Sequence, residues 1–302
     1  MTESAAARGP HGWLVVDKPG GITSAAAVAR IKSVVGRGAK VGHAGTLDPM
    51  ATGVLPIAIG EATKTVAFMM EAPKRYRFGV RWGEQRDTDD AEGAVIETSD
   101  SRPGAAAVAS VLPAFIGRIK QMPPAYSALK VGGERAYALA RQGRPPQLAP
   151  RTVDVESLTL TEADADGAAF EVACGKGTYV RALARDIARA AGTVGHVSWL
   201  HRAAVGPFGE EDAKPLDKLV ALGHSPALAE SLLPVEAALA DIPALPLTAR
   251  EADRLRHGQP VPAPGAAPGR VRAMAGSCLV ALAEVGAGKA RPVRVFNIRD
   301  AE

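Results

Sequence analysis

Cysteine is scarce: Cys174 and Cys278 are the only two, far apart and outside any metal-ligand spacing. That excludes a disulfide framework and a zinc ribbon, and it points to a cytoplasmic protein with free thiols. No apolar run approaches the roughly 20 residues of a membrane span. Charge of one sign does not dominate: 36 Lys and Arg face 32 Asp and Glu, a net +4. This is too mild for a protein that coats DNA, but it permits RNA binding through a local basic face. There is no phosphate-binding Walker loop, no dinucleotide fingerprint and no Cys/His/Asp/Glu metal cluster, so neither cofactor nor metal is expected. The start, residues 1–12, carries Glu3 and no apolar core, so it reads as a short disordered lead and not as a signal peptide.

What is present suffices for a catalytic domain and a smaller second one: 302 residues, 47% of them hydrophobic. Residues 13–18 read as a strand, 25–35 as a helix capped by Thr23 or Ser24, and Ala62, Val66 and Met69 as one face of another helix. Tyr76, Phe78, Val80 and Trp82 alternate with Arg75, Arg77, Gly79 and Arg81, the period-two pattern of a half-buried strand. An acidic turn spans 83–93 and a helix 105–116. Residues 121–143 form a long, broken, basic segment, and such length without structure is uncommon unless it is functional. Strands are expected over 153–160 and 168–173. A helix over 179–191 is expected to be capped by Thr178, and 215–239 to be mostly helical. Pro243–Pro246 reads as a boundary, 248–257 as a helix, and 271–275, 278–284 and 293–298 as short strands. Strands and helices mix without strict βαβ alternation, which favours an α+β fold.

The densest signal is Gly42-His43-Ala44-Gly45-Thr46-Leu47-Asp48-Pro49-Met50-Ala51-Thr52-Gly53-Val54-Leu55. Its glycines let the backbone turn sharply and approach a ligand closely. Pro49 stiffens the chain just after Asp48. An acid held this way suits nucleophilic or covalent chemistry; an Asp-Pro pair by itself is an ordinary turn.

This segment resembles the catalytic motif of the tRNA pseudouridine synthase B family. Three further segments fit that family in the same order: Asp17-Lys18-Pro19-Gly20-Gly21-Ile22-Thr23-Ser24, Gln121-Met122-Pro123-Pro124-Ala125-Tyr126-Ser127-Ala128 and Gly177-Thr178-Tyr179-Val180-Arg181. The resemblance implies an α+β catalytic core with a mixed, mainly antiparallel sheet over residues 1–240. An RNA-binding insertion falls at about 121–150. Residues 241–302 resemble a shortened PUA domain, a small β-barrel that binds RNA. The implied activity is isomerisation of uridine to pseudouridine in the T loop of tRNA, at position 55, by a monomer that needs no guide RNA, protein partner or membrane. A tRNA-folding module, or a synthase acting on another RNA, is the alternative.

Carried over residue by residue, the resemblance makes Asp48 the nucleophile. It can add to C6 of the base or C1′ of the ribose, or remove the C2′ proton; the sequence leaves all three open. Tyr76 stacks on the uracil and helps remove the C5 proton, where its pattern alone gives a core aromatic. Arg181 pairs with Asp48 and aims it, as a planar guanidinium suits a carboxylate; otherwise it is one of three solvated arginines with Arg185 and Arg189. Tyr179 and Leu200 line the uridine pocket. His43 fills the space that the target base vacates. Lys18 and Pro19 brace the loop. Lys130, Arg135 and Arg141 form an arm that contacts phosphates.

Overall fold

The alternation along residues 74–82 does produce a strand, Lys74–Trp82, with Phe78, Val80 and Trp82 buried on one face and Arg75 and Arg81 exposed on the other. In the computed structural model, which describes residues 10–298 except Arg37, Ala128 and Pro145, this strand lies inside a ten-stranded mixed sheet. Of the lead expected at residues 1–12, residues 1–9 are outside the described residues, and Gly12 already begins the first strand. Across the sheet the order is Lys214–Pro215, Gly12–Lys18, Thr52–Ile59, Gly195–Val205, Lys74–Trp82, Gly167–Cys174, Arg151–Ala163 and Gly117–Gln121. Val41–His43 and Phe208–Gly209 pair at its margins. Two contacts are parallel, Gly12–Lys18 with Lys214–Pro215 and Thr52–Ile59 with Gly195–Val205; the other pairings in this sheet are antiparallel. The fold is α+β, as expected.

Helix Val180–Ala190 lays Val180, Leu183 and Ile187 on Phe78, Phe170, Val172 and Val197. Elsewhere helix Ser24–Val35, capped by Thr23, buries Ala27 and Ile31 against Leu14, Val16, Leu55 and Ile57. Burying such aliphatic side chains contributes about 1.5–3 kcal/mol each before entropy is counted. A second sheet, ordered Ala244–Pro246, Gly269–Ala275, Cys278–Gly286, Lys289–Val295 and Val261–Pro262, packs on helix Ala249–Arg256. Its Leu279 and Leu282, together with Phe296, join the cluster around Trp13 and Met69, which ties this β-rich part to the main sheet.

Several elements differ from expectation. Thr178 is not the cap of helix Val180–Ala190: its hydroxyl donates to the Gly175 carbonyl. The Gln121 side chain instead holds Tyr179, the residue just before the helix, accepting from Tyr179 N at 2.8 Å and donating to Tyr179 O at 3.1 Å. Residues 215–239 hold three short helical turns separated by breaks. The last strand is Lys289–Val295, earlier than 293–298. Strands Thr52–Ile59 and Gly195–Val205 were not anticipated, because their continuous apolar or mixed patterns show no clean alternation.

Gly53 is where this topology leaves no room for a side chain. Its φ is +100°, and a Cβ there would lie 2.3 Å from the Arg202 carbonyl and 2.8 Å from the His201 ring. Gly53→Ala is therefore expected to lower unfolding free energy by more than about 1 kcal/mol in urea titration, whereas an ordinary tolerated Gly→Ala change is neutral or stabilising. Gly42, with open space around its Cβ position, should tolerate alanine within about 0.5 kcal/mol. Equal stability of both variants with the parent would contradict the packing described.

Candidate active site

Pairing register aligns four residues in one row across the sheet. Lys18 pairs with Gly53, Gly53 with Arg202, and Arg202 with Tyr76. Gly53 has no side chain, so its strand approaches the Arg202 carbonyl and the His201 ring closely. Arg202 is 1% exposed. It donates to Val54 O at 2.8 Å, Thr46 O at 3.3 Å and Gly45 O at 3.1 Å, gripping both arms of the loop that carries Asp48. Lys18, also buried, donates to Pro19 O, Ile22 O and Pro49 O. Ser24 completes the hold through Leu47 O and Leu47 N. Backbone carbonyls and amides within the loop are thus satisfied by side chains, which fixes it without regular structure.

Asp48 emerges from this loop onto Arg181. Nε of Arg181 donates to Oδ2 at 2.8 Å and an Nη to Oδ1 at 3.2 Å, a two-pronged contact. Arg181 is 5% exposed and Asp48 34% exposed, so the carboxylate is held yet reachable. The rest of the guanidinium is occupied too, by Thr88 O at 2.7 Å, Tyr126 O at 2.9 Å and the Asp90 carboxylate at 3.4 Å. Burial works against the charge on Arg181, but Asp48 and Asp90 overcome it and raise its pKa above the ordinary value. Behind it, Arg185 pairs with Asp89 and Asp186 and donates to Met122 O. Burial pushes Asp89 up to about 6 against the pull of Arg185.

A cleft of about 520 Å³ opens over Asp48. Tyr76, Tyr179, Arg181 and Leu200 line it, so the structure brings five of the expected site residues together. Burial raises the Tyr76 hydroxyl above its ordinary pKa, and the Arg202 guanidinium facing it pulls the other way. Burial also raises Tyr179. His43 lies outside this lining, half-buried on strand Val41–His43. Its buried Nδ1 has no hydrogen-bond partner among the described residues. Burial, then Arg202, lowers its pKa, which keeps the ring neutral at pH 7. Lys130, Arg135 and Arg141 are exposed and also outside the cleft, on the small hairpin Lys130–Val131/Glu134–Arg135 and helix Ala136–Arg141. Their segment meets the site at Tyr126, whose carbonyl Arg181 holds.

Sequence reasoning missed Arg202, Lys74 and Asp90. The first two had a legible signal: Arg202 is two residues past Leu200, and Lys74 two before Tyr76, so each shares a strand face with an expected site residue. Asp90 had none, because its partner Arg181 is remote in sequence. Among the described residues no group of three or more His, Cys, Asp or Glu side chains is placed to hold a metal. Among the described residues no helix is long and apolar enough to cross a membrane.

Comparison with known proteins identifies the family. Residues 32–180 match the TruB family pseudouridylate synthase N-terminal domain, 181–240 the tRNA pseudouridylate synthase B C-terminal domain, and 242–297 the tRNA pseudouridine synthase II C-terminal domain. A curated tRNA pseudouridine synthase B from Bradyrhizobium diazoefficiens is 55% identical over 301 residues, covering 96% of this chain and 87% of that protein. Its counterpart from Rhodospirillum rubrum is 53% identical, covering 95% and 97%. Among solved structures, a chain of an H/ACA RNP bound to a substrate RNA containing 2′-deoxyuridine aligns with TM-score 0.74 and 25% identity, over 96% of this chain and 86% of that one. A chain of a Cbf5-Nop10-Gar1 complex aligns with TM-score 0.70 and 28% identity, over 95% and 84%. With family domains matched along most of its length and relatives more than half identical, the chain belongs to the TruB family of pseudouridylate synthases.

Proposed function

We propose that this protein converts uridine to pseudouridine in the T loop of tRNA, at position 55, with Asp48 as the nucleophile. The observation that carries the reading is one carboxylate held by both prongs of Arg181, yet open to a cleft bordered by Tyr76, Tyr179 and Leu200. The names of the curated relatives support tRNA as the substrate.

A uridine stacked in an RNA loop cannot reach such a cleft, so the nucleotide must swing out. Leu200 and Tyr179 then offer apolar surface to the base, and Tyr76 offers a ring face for stacking. Asp48 attacks C6 or C1′, or takes the C2′ proton. In each route the N1–C1′ bond breaks, the uracil turns, C5 bonds to C1′ and the C5 proton leaves, a step Tyr76 assists. No oxidation state changes and no phosphate moves, so the residues of the cleft suffice. His43, a neutral planar ring at the edge of the same loop, fills the gap in the RNA. The chain acts in the cytoplasm as a monomer, without guide RNA or protein partner. Residues 1–240 form the catalytic domain, with an insertion at about 121–150, and residues 241–302 the small C-terminal one.

Asp48→Asn keeps shape while removing charge and nucleophilicity. Incubated with unmodified tRNA transcript, it is expected to form no pseudouridine while binding RNA almost as tightly as the parent. Product at a comparable rate, with deamidation back to Asp excluded, would refute the assignment. The arm gives an independent outcome. Replacing Lys130, Arg135 and Arg141 together by Gln should weaken binding and lower the slope of log Kd against log salt by roughly 0.7–0.9 per lost phosphate contact. An unchanged slope would remove these three residues from the RNA interface.

A further inference from the structure

Two buried cations in the cleft remain once Asp48 and Arg181 are accounted for. Lys74 and Arg202 both line it and both are buried. They are close together: a point one Cβ away from Gly45 lies 3.5 Å from an Arg202 Nη and 4.0 Å from Lys74 Cε. Neither has a carboxylate within ion-pair distance among the described residues. Lys74 donates to the carbonyls of Met69, Met70 and Ala72, which end helix Val66–Glu71, and Arg202 donates to those of Gly45, Thr46 and Val54. Glu71, beside Lys74 in the chain, is engaged by Lys176 at the rim. By contrast, the charge of Arg181 is answered by Asp48 and Asp90.

Carbonyl oxygens orient a cation without neutralising it. Two like charges kept side by side out of water are unfavourable unless an anion is admitted between them and the solvent. Lys74 registers this: burial first, then Arg202, and further out Lys176, lower its pKa to about 8, although Cys174 and Glu71 pull upward. At neutral pH it still carries its proton.

We propose that Lys74 and Arg202 form an anion-stabilising pair that lowers the cost of the negative charge carried by the uracil while it is detached from the ribose. The inference rests on the reading that a uridine enters this cleft. When the N1–C1′ bond breaks, its electron pair stays on the uracil and spreads from N1 to O2 and O4. C1′ is meanwhile compensated by an Asp48 oxygen or by loss of the C2′ proton to Asp48, or the charge forms on a C6 adduct of Asp48. The pair returns to C1′ as C5 bonds there: the Asp48 oxygen leaves C1′ or C6, or Asp48 gives the C2′ proton back, while the C5 proton departs and N1 takes one up. Fixed positive charge in a site that excludes water acts where that charge develops and needs no reorganisation.

Lys74→Gln keeps a donor for the helix carbonyls and removes the charge. At saturating enzyme its single-turnover rate on tRNA transcript should fall on the order of 10²-fold, the usual effect of deleting one such stabilising group. RNA affinity and its salt slope should stay near wild type, and Lys74→Arg should recover most of the loss. Retained single-turnover rate with weaker binding and a smaller salt slope would make Lys74 a phosphate contact and overturn the proposal. So would a Lys74→Arg variant as slow as Lys74→Gln, which would assign the loss to packing. If Lys74→Gln melts below the assay temperature, the wild-type single-turnover rate is followed from neutral pH upward instead: it should fall as Lys74 loses its proton near pH 8, and a flat profile overturns the pair. A wild-type chain that forms no pseudouridine in tRNA would instead refute the functional reading itself.

Discussion

Asp48 gives both carboxylate oxygens to one guanidinium, and nearly everything around the cleft keeps that guanidinium in place. Arg181 spends its remaining donors on Thr88 O and Tyr126 O, with Asp90 close by. A buried arginine with fewer partners would leave charge uncompensated in a low dielectric, which is strongly destabilising. The acidic 87–90 turn and the start of the 121–143 segment are therefore bound to helix Val180–Ala190 through the side chains of Arg181 and Arg185. The 121–143 segment runs on from Tyr126, whose carbonyl holds Arg181, so that segment and the Asp48 carboxylate share a support.

The sheet supplies the other half of the restraint. Lys18, Gly53, Arg202 and Tyr76 are aligned by strand register, not by proximity in the chain. The missing side chain at Gly53 lets its strand close on the backbone of Arg202, whose guanidinium reaches into the Asp48 loop. Side-chain donors on the loop's carbonyls take the place of a ladder. This explains why an irregular, glycine-rich segment can hold the Asp48 carboxylate at fixed orientation: its rigidity comes from the strands on either side.

Much of this was legible in the sequence, and the remainder was hidden for identifiable reasons. The strand at 74–82 was visible because Arg75, Arg77 and Arg81 break the apolar pattern at every second position. Helix Val180–Ala190 was visible in its apolar stripe, although Thr178 does not cap it and Gln121, remote in sequence, holds the residue before it. Thr52–Ile59 is buried over nearly its whole length, so no alternation marked it. Gly195–Val205 mixes Trp199, His201 and Arg202 with apolar residues, and an arginine in a central strand reads as exposed until its carbonyl partners are seen. The Asp48 loop stood out through glycine and proline chemistry, and the resemblance then located Arg181. Only the fold shows that Asp90, Lys74 and Arg202 complete the charge arrangement.

The most direct test is the single-turnover rate of Arg181 variants on tRNA transcript at saturating enzyme, with thermal unfolding as a control for the fold. Arg181→Lys keeps the charge but cannot grip both carboxylate oxygens, and Arg181→Met keeps neither. For folded protein the expected result is a loss on the order of 10²-fold or more for Met, as for a misplaced nucleophile, and a clear loss for Lys as well. A folded Arg181→Met variant that forms pseudouridine at a near-normal rate would contradict the account, leaving Asp48 oriented by its loop alone.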